Sequence, residues 1–116
     1  MIEKRKFIRY ITSAKVQVNT YTEALVLLRD ISRHGCCISY PYTLSASGID
    51  LEKDHEYTLE ILPEPDAVGK FKLIIQPCWT RIRDGMRETG CSIVQFPTPQ
   101  DNENFTAYLA RQSCRK

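Results

Sequence analysis

The stretch KFKLIIQPCWTRIR, residues 70–83, is followed by Asp84-Gly85 and then by MRETGCSIVQF, residues 86–96. Apolar and polar residues alternate at the start of the first segment, which is the period-two pattern of a half-buried strand. An Asp-Gly pair between two such segments is a strong signal for a two-residue hairpin turn. The sequence therefore predicts a long β-hairpin in the second half of the chain.

Two residues interrupt the regular pattern of this hairpin. Pro77 has no backbone N–H to donate to a neighbouring strand, so we expect a β-bulge or an edge position there. Gly90 lies inside the second strand, where a glycine marks a bend or the close approach of another group. Before the proline, the side chains expected to point into the core are Phe71, Leu73 and Ile75.

The first half of the chain contains further strand patterns. Residues 15–19 alternate polar and apolar side chains, with Val16 and Val18 expected to face inward. A turn at residues 21–23 leads into a β-rich apolar segment, and Ser32-Arg33-His34-Gly35 then reverses the chain. The assigned segments are a strand at 24–31, a return strand at 36–40, a loop at 41–54 and a strand at 56–61.

The signal changes to a helical one after Phe96. Thr98, Pro99 and Asp101 are suited to the N-cap, the first helical position and the closing residue of a capping box. The side chains that then recur at helical spacing are Phe105, Tyr108, Leu109 and Gln112. Six strands in hairpin order followed by one helix predict a mainly β fold, a six-stranded antiparallel β-barrel with a C-terminal α-helix covering one end.

At 116 residues the chain has the length of one compact domain. We expect a flexible basic arm at residues 1–12, the barrel at 14–96 and the helix at 98–113. No apolar segment is long enough to span a bilayer or to serve as a signal peptide. A cytoplasmic location without membrane insertion is therefore expected.

The composition argues against several functional classes. A net charge of +2 is too small for a general nucleic-acid binder. Five cysteines, an odd number with no C-x-x-C pair, indicate apolar packing rather than disulfides or a metal site. No activated nucleophile or paired acid and base is evident, so we expect neither catalytic residues nor an enzyme.

Two short motifs carry the chemistry. Arg5 and Arg9 put two guanidinium groups four positions apart on the basic arm. Asp30, Ser32 and Gly35 form Asp-x-Ser-x-x-Gly at the end of a strand, where we expect the glycine to adopt a backbone angle that other residues avoid. Guanidinium forks match phosphate oxygens and O6/N7 of guanine, and a carboxylate accepts the ring N–H groups. Alone, the first motif is usually a solvated charge run and the second an ordinary turn.

In this order and separation, the two motifs resemble the RxxxR and [D/N]xSxxG signature of PilZ domains, which bind cyclic di-GMP. The resemblance covers most of the chain and implies that residues 1–12 are mobile without ligand and fold across the barrel when it binds. The same resemblance implies that Arg5 and Arg9 clamp guanine edges and phosphates. It implies that Asp30 and Ser32 hold the other guanine edge, and that Gly35 lets the ligand approach the backbone.

The chain departs from the family pattern at two places. Ile93 stands where the family often has a phenylalanine, and the loop before Glu56 lacks its frequent glycine. Lys4 directly precedes the first arginine, a position that in such domains bears on whether one ligand or a stacked pair is held.

Further residues are candidate ligand contacts. Trp79 either stacks on a guanine or is buried in the barrel. Lys4 and Lys6 would add non-specific attraction. Arg33, inside the second motif, either reaches a phosphate or faces solvent.

Three hypotheses for the function follow. The first is a cyclic di-GMP receptor whose reordered arm signals to a downstream protein partner, with no cofactor other than this ligand. The second is a PilZ-like protein–protein adaptor that does not bind nucleotide. The third is a small barrel that binds single-stranded nucleic acid through its basic arm and aromatic side chains.

Overall fold

The computed structural model describes residues 10–18, 21–41, 51–63 and 69–114. These residues form a closed antiparallel barrel in the order β1-β2-β3-β6-β5-β4, followed by a helix. The elements are β1 Tyr10–Val18, β2 Tyr21–Ile31, β3 Gly35–Pro41, β4 Tyr57–Leu62, β5 Phe71–Arg83, β6 Met86–Gln95 and α1 Pro99–Cys114. The predicted fold class, a six-stranded antiparallel barrel with a C-terminal helix, is confirmed.

The barrel is built from antiparallel neighbours and closed by two longer-range pairings. β1 pairs with β2, β2 with β3, β4 with β5 and β5 with β6. The strands that close the ring are β3 with β6 and β1 with β4. Closure gives every strand partners on both sides, which removes the exposed edges of an open sheet.

The core lies inside the barrel and continues under α1. Val16 and Val18 on β1 are buried, as the alternating pattern predicted. Phe71, Leu73 and Ile75 on β5 are also buried, in agreement with the prediction. All five belong to one contiguous apolar cluster, in which each buried side chain contributes about 1.5–3 kcal/mol relative to exposure.

The first two strands begin at different residues than the sequence predicted. β1 begins at Tyr10, so it extends three residues into the segment 1–12 that was assigned to the arm. Tyr10 pairs with Ile31 on β2, and this backbone pairing outweighs the high local charge that suggested an arm. β2 begins at Tyr21, so the expected turn at 21–23 is wrong and these residues belong to the strand.

The long hairpin has the predicted turn and the predicted irregularity. Asp84 and Gly85 both have positive φ, 54° and 78°, as a type I′ hairpin turn requires. A register shift lies between the pairs Pro77–Cys91 and Trp79–Gly90, so Cys78 is an extra residue on β5. The expectation of a bulge at the proline is confirmed.

α1 begins with the predicted cap. The backbone N–H of Asp101 donates to Oγ1 of Thr98 at 3.2 Å, and the backbone N–H of Thr98 donates to Oδ2 of Asp101 at 3.1 Å. Oδ1 of Asp101 also accepts the backbone N–H of Lys72 at 2.8 Å, which ties the helix to the start of β5. The four side chains predicted to face the core, Phe105, Tyr108, Leu109 and Gln112, are all buried.

Candidate ligand-binding site

One row of paired residues crosses four strands on the outer face of the barrel. Asp30 pairs with Cys37, Cys37 with Gly90, and Gly90 with Trp79. Three inter-strand spacings separate the ends of this row, a path of about 14 Å measured around the barrel wall from β2 to β5. The register thus links two predicted site residues, from distant parts of the sequence, through one row of cross-strand pairs.

The bulge at Cys78 determines which way Trp79 faces. The buried residues of β5 alternate through Ile75 and Pro77, and an uninterrupted strand would place residue 79 inside the barrel as well. The extra residue inverts this alternation, and Trp79 lies on the outer face with 43% of its surface exposed. Of the two alternatives for Trp79, the structure has the surface position and not burial in the barrel.

The indole of Trp79 lies directly against the backbone of Gly90. A Cβ atom built on Gly90 would stand 2.5 Å from Cζ2 of the indole, and closer still to Cε2 and Nε1. Any side chain at position 90 would therefore displace the ring. The close approach predicted for Gly90 is confirmed, and the approaching group is an aromatic side chain.

Arg81 and Glu88 lie next to the contact between Trp79 and Gly90. They pair across the hairpin, and Nε of Arg81 donates to Oε1 of Glu88 at 2.7 Å. The guanidinium carbon of Arg81 also lies 5.4 Å from the centroid of the Trp79 ring, within cation–π range. The hydrogen bond from Arg81 lowers the pKa of the Glu88 carboxyl below its usual value, with smaller contributions from the charges of Arg81, Arg83 and Arg29.

Ser32 holds the turn between β2 and β3. Its backbone N–H and its hydroxyl both donate to the carbonyl oxygen of Gly35, at 2.8 and 3.3 Å. The side chain is buried, with 6% of the residue exposed. A serine hydroxyl that donates one bond keeps lone pairs that accept others, so Ser32 can still receive an N–H from a ligand.

Gly35 is required for a different reason than the sequence suggested. Its φ angle does not lie in the left-handed region, so the expected special backbone angle is wrong. A Cβ at this position would stand 2.8 Å from the backbone carbonyl oxygen of Cys91 on β6. The glycine therefore allows β3 and β6 to approach each other at the edge of the turn.

Cys37, in the middle of the row, is buried and remains a neutral thiol. The pKa of Cys37 is raised to about 11, mainly by burial and to a smaller extent by the nearby charges of Asp30 and Glu88. Three of the cysteines, Cys36, Cys37 and Cys91, are buried, as the packing prediction requires, whereas Cys78 is exposed. Cys78 contacts Ser92, with Sγ and Oγ 3.0 Å apart.

The remaining predicted contacts fall into two groups. Arg33 is exposed in the turn between Ser32 and Gly35, close in sequence to both. The other predicted contacts, Lys4, Arg5, Lys6 and Arg9, lie outside the described residues, as does the predicted mobility of that part of the arm.

The sequence analysis did not predict a role for Arg81 or Glu88, nor that Gly90 would contact the indole of Trp79. The signal for them was present, because a two-residue turn at 84–85 fixes the cross-strand partners of both strands up to the next bulge. Counting outward from that turn pairs Arg81 with Glu88 and Trp79 with Gly90, as the structure has them.

A family model for the PilZ domain matches residues 3–111, which include both motifs and the whole barrel. The protein belongs to the PilZ domain family. A search of curated protein sequences finds no match. At the position where PilZ domains often have a phenylalanine, Ile93 is half-buried and packs against the core, so it keeps the apolar role.

The fold of this PilZ domain is also found in a solved structure, that of the Bacillus subtilis inhibitor of motility, MotI/DgrA. The two share 17% sequence identity with a TM-score of 0.71, and the match covers 99% of this chain and 54% of the other. The chain thus spans about half the length of that protein, and the likeness shows a common fold. In the described residues no helix has the length and apolar character needed to cross a membrane.

Proposed function

We propose that this PilZ domain is a receptor for cyclic di-GMP, which binds on the outer face of β2, β3, β6 and β5. The observation that carries the proposal is the row of cross-strand pairs from Asp30 to Trp79, which links the second motif to an exposed aromatic ring. Membership of the PilZ family supports the same ligand. The domain acts by binding and needs no metal or other cofactor.

The chemistry of the described face suits one guanine at each end. Asp30 and the lone pairs of Ser32 accept the N–H groups on the Watson–Crick edge of one base. Trp79 offers a stacking surface to the other, and base–aromatic stacking contributes about 1–3 kcal/mol per base. Arg33, exposed beside the turn, is available to a phosphate oxygen.

Arg5 and Arg9 supply the remaining contacts. Arg9 directly precedes Tyr10, which pairs with Ile31 next to Asp30 and Ser32. Because neighbouring Cα atoms are about 3.8 Å apart, we expect Arg9 to be within reach of the second motif. The two arginines then grip guanine edges and phosphates as the arm closes, with Lys4 and Lys6 adding non-specific attraction.

Closure of the arm creates a new surface for a downstream protein partner. The structural neighbour is described as an inhibitor of motility, which fits a domain that regulates another protein rather than one that catalyses a reaction. An adaptor that does not use nucleotide remains the second candidate, and it is favoured only if a partner binds regardless of Arg5 and Arg9.

Isothermal titration calorimetry with cyclic di-GMP tests the proposal. We expect micromolar or tighter affinity for the unaltered chain, and loss of detectable binding in Arg5→Ala and Arg9→Ala. Arg111→Ala, which removes the same charge from an exposed position on α1, serves as the matched control and retains the affinity. A folded sample that gives no binding heat rejects the receptor, and a steep salt-dependent affinity for an oligonucleotide would favour the third hypothesis instead.

A further inference from the structure

Arg81 is held in place from two sides. Its Nε donates to Glu88 at 2.7 Å, and its guanidinium carbon lies 5.4 Å from the centre of the Trp79 ring. The arginine side chain is 54% exposed whereas that of Glu88 is only 13% exposed, so a half-buried carboxylate anchors a guanidinium that reaches the surface. An arginine fixed in this way loses less conformational entropy when it binds a ligand than a mobile one.

The hydrogen bond to Glu88 leaves a specific part of Arg81 available. The bond uses Nε, and within the described part of the chain Nη1 and Nη2 have no protein acceptor. These two groups are the outer donors of the planar guanidinium fork. The anchored arginine therefore presents a pair of N–H donors beside an exposed aromatic ring.

We propose that Arg81 is a specificity-determining residue that reads O6 and N7 of the guanine stacked on Trp79, and so selects guanine over adenine. The inference rests on the proposed function and deepens it, because it names which base edge the barrel itself recognises. The guanidinium carbon lies over the indole, 5.4 Å from the ring centroid, so a base that stacks on the ring beside it would bring its O6/N7 edge to the fork. The barrel then contributes its own arginine to the site in addition to Arg5 and Arg9.

The selectivity follows from the donor and acceptor pattern of the two purines. Guanine presents two acceptors, O6 and N7, on this edge, and a guanidinium fork satisfies both. Adenine presents N7 as an acceptor but an amino group at position 6, which is a donor and faces the donors of Arg81. Lysine keeps the charge but loses the fork, so it cannot make the same distinction.

The test compares cyclic di-GMP with cyclic di-AMP on the full chain. For Arg81→Lys we expect the ratio of the two dissociation constants to fall by about tenfold to a hundredfold, the range for one bidentate contact to guanine. Arg83→Lys is the matched control, since Arg83 lies two residues further along β5 and is also exposed. It should leave the ratio unchanged.

A second variant separates recognition from folding. Glu88→Gln retains Arg81 but weakens its anchor, and we expect a smaller fall in the same ratio, with unchanged circular dichroism. A purely structural role for Arg81 would lower both affinities equally and leave the ratio intact, which overturns the inference while the receptor stands. Failure of the unaltered chain to bind cyclic di-GMP overturns both.

Discussion

The indole of Trp79 occupies the space that a side chain on Gly90 would need, although the two residues are eleven positions apart in the sequence. The hairpin turn at Asp84-Gly85 makes them cross-strand partners, and the bulge after Pro77 turns the tryptophan outward. The bare backbone of the glycine then allows the ring to lie against the sheet. The hairpin turn, the bulge and the lack of a side chain at Gly90 together give the exposed surface of the indole its position.

Gly90→Ala should destabilise the protein by about 1–3 kcal/mol, because the new methyl group overlaps the indole and forces it off the sheet. The same change in a Trp79→Ala background should be neutral or stabilising, since alanine is preferred to glycine in a strand by roughly 0.5–1 kcal/mol. Urea unfolding of the four chains measures both values. Equal costs in the two backgrounds would show that Trp79 does not occupy the space above Gly90.

Gly35→Ala should lower the free energy of unfolding by about 1–3 kcal/mol, because its Cβ would stand 2.8 Å from a backbone carbonyl that cannot rotate away. Gly69→Ala is the control. There the nearest atom is Nδ2 of the Asn104 side chain at 3.2 Å, which can move. A cost at Gly69 as large as that at Gly35 would contradict the packing explanation for Gly35.

Asp101→Ala should cost about 1–2 kcal/mol, because it removes the capping box of α1 and the bond to Lys72 at once. Glu103→Ala, at an exposed position on the same helix, should change stability by less than about 0.5 kcal/mol. Thermal unfolding followed by circular dichroism measures the difference. If both variants melt together, the capping box does not stabilise the helix.

Alkaline pH should destabilise the fold through Cys37. Its pKa is raised from 9.0 to about 11, so the unfolded chain releases this proton at a lower pH than the folded one. The stability linked to Cys37 is complete below about pH 9 and is lost as the pH rises towards 11. In Cys37→Ala the decline in unfolding free energy over this range should be shallower, and a decline as steep as that of the unaltered chain would contradict the link to Cys37.

The sequence predicted the fold well because its signals are local. Alternation in residues 71–75, the Asp84-Gly85 turn and the Thr98 cap each act within a few residues, and the structure has all three. The side of the sheet on which Trp79 lies could not be predicted in the same way. A proline indicates that a bulge is near, but whether one residue is inserted depends on how β5 and β6 align over their whole length.

The sequence predicted which residues form the candidate site better than it predicted why each of them is required. Asp30 and Ser32 lie at the predicted turn, yet the special backbone angle proposed for Gly35 is wrong, because the constraint comes from Cys91 on another strand. A contact between strands of distant sequence position is set by tertiary packing and leaves no local signal. Arg81 and Glu88, in contrast, could have been paired by counting from the turn.

In the proposed complex, cyclic di-GMP binds across the outer barrel face from Asp30 to Trp79. A titration followed by ¹H–¹⁵N NMR tests it most directly, since the chain has a single tryptophan whose indole N–H gives an isolated signal. We expect large shifts of that signal and of the Asp30, Gly35 and Gly90 amides, with Thr106 on the exposed side of α1 unchanged. Saturating ligand that leaves the indole and these amides unmoved, or that shifts only signals of α1, would contradict it.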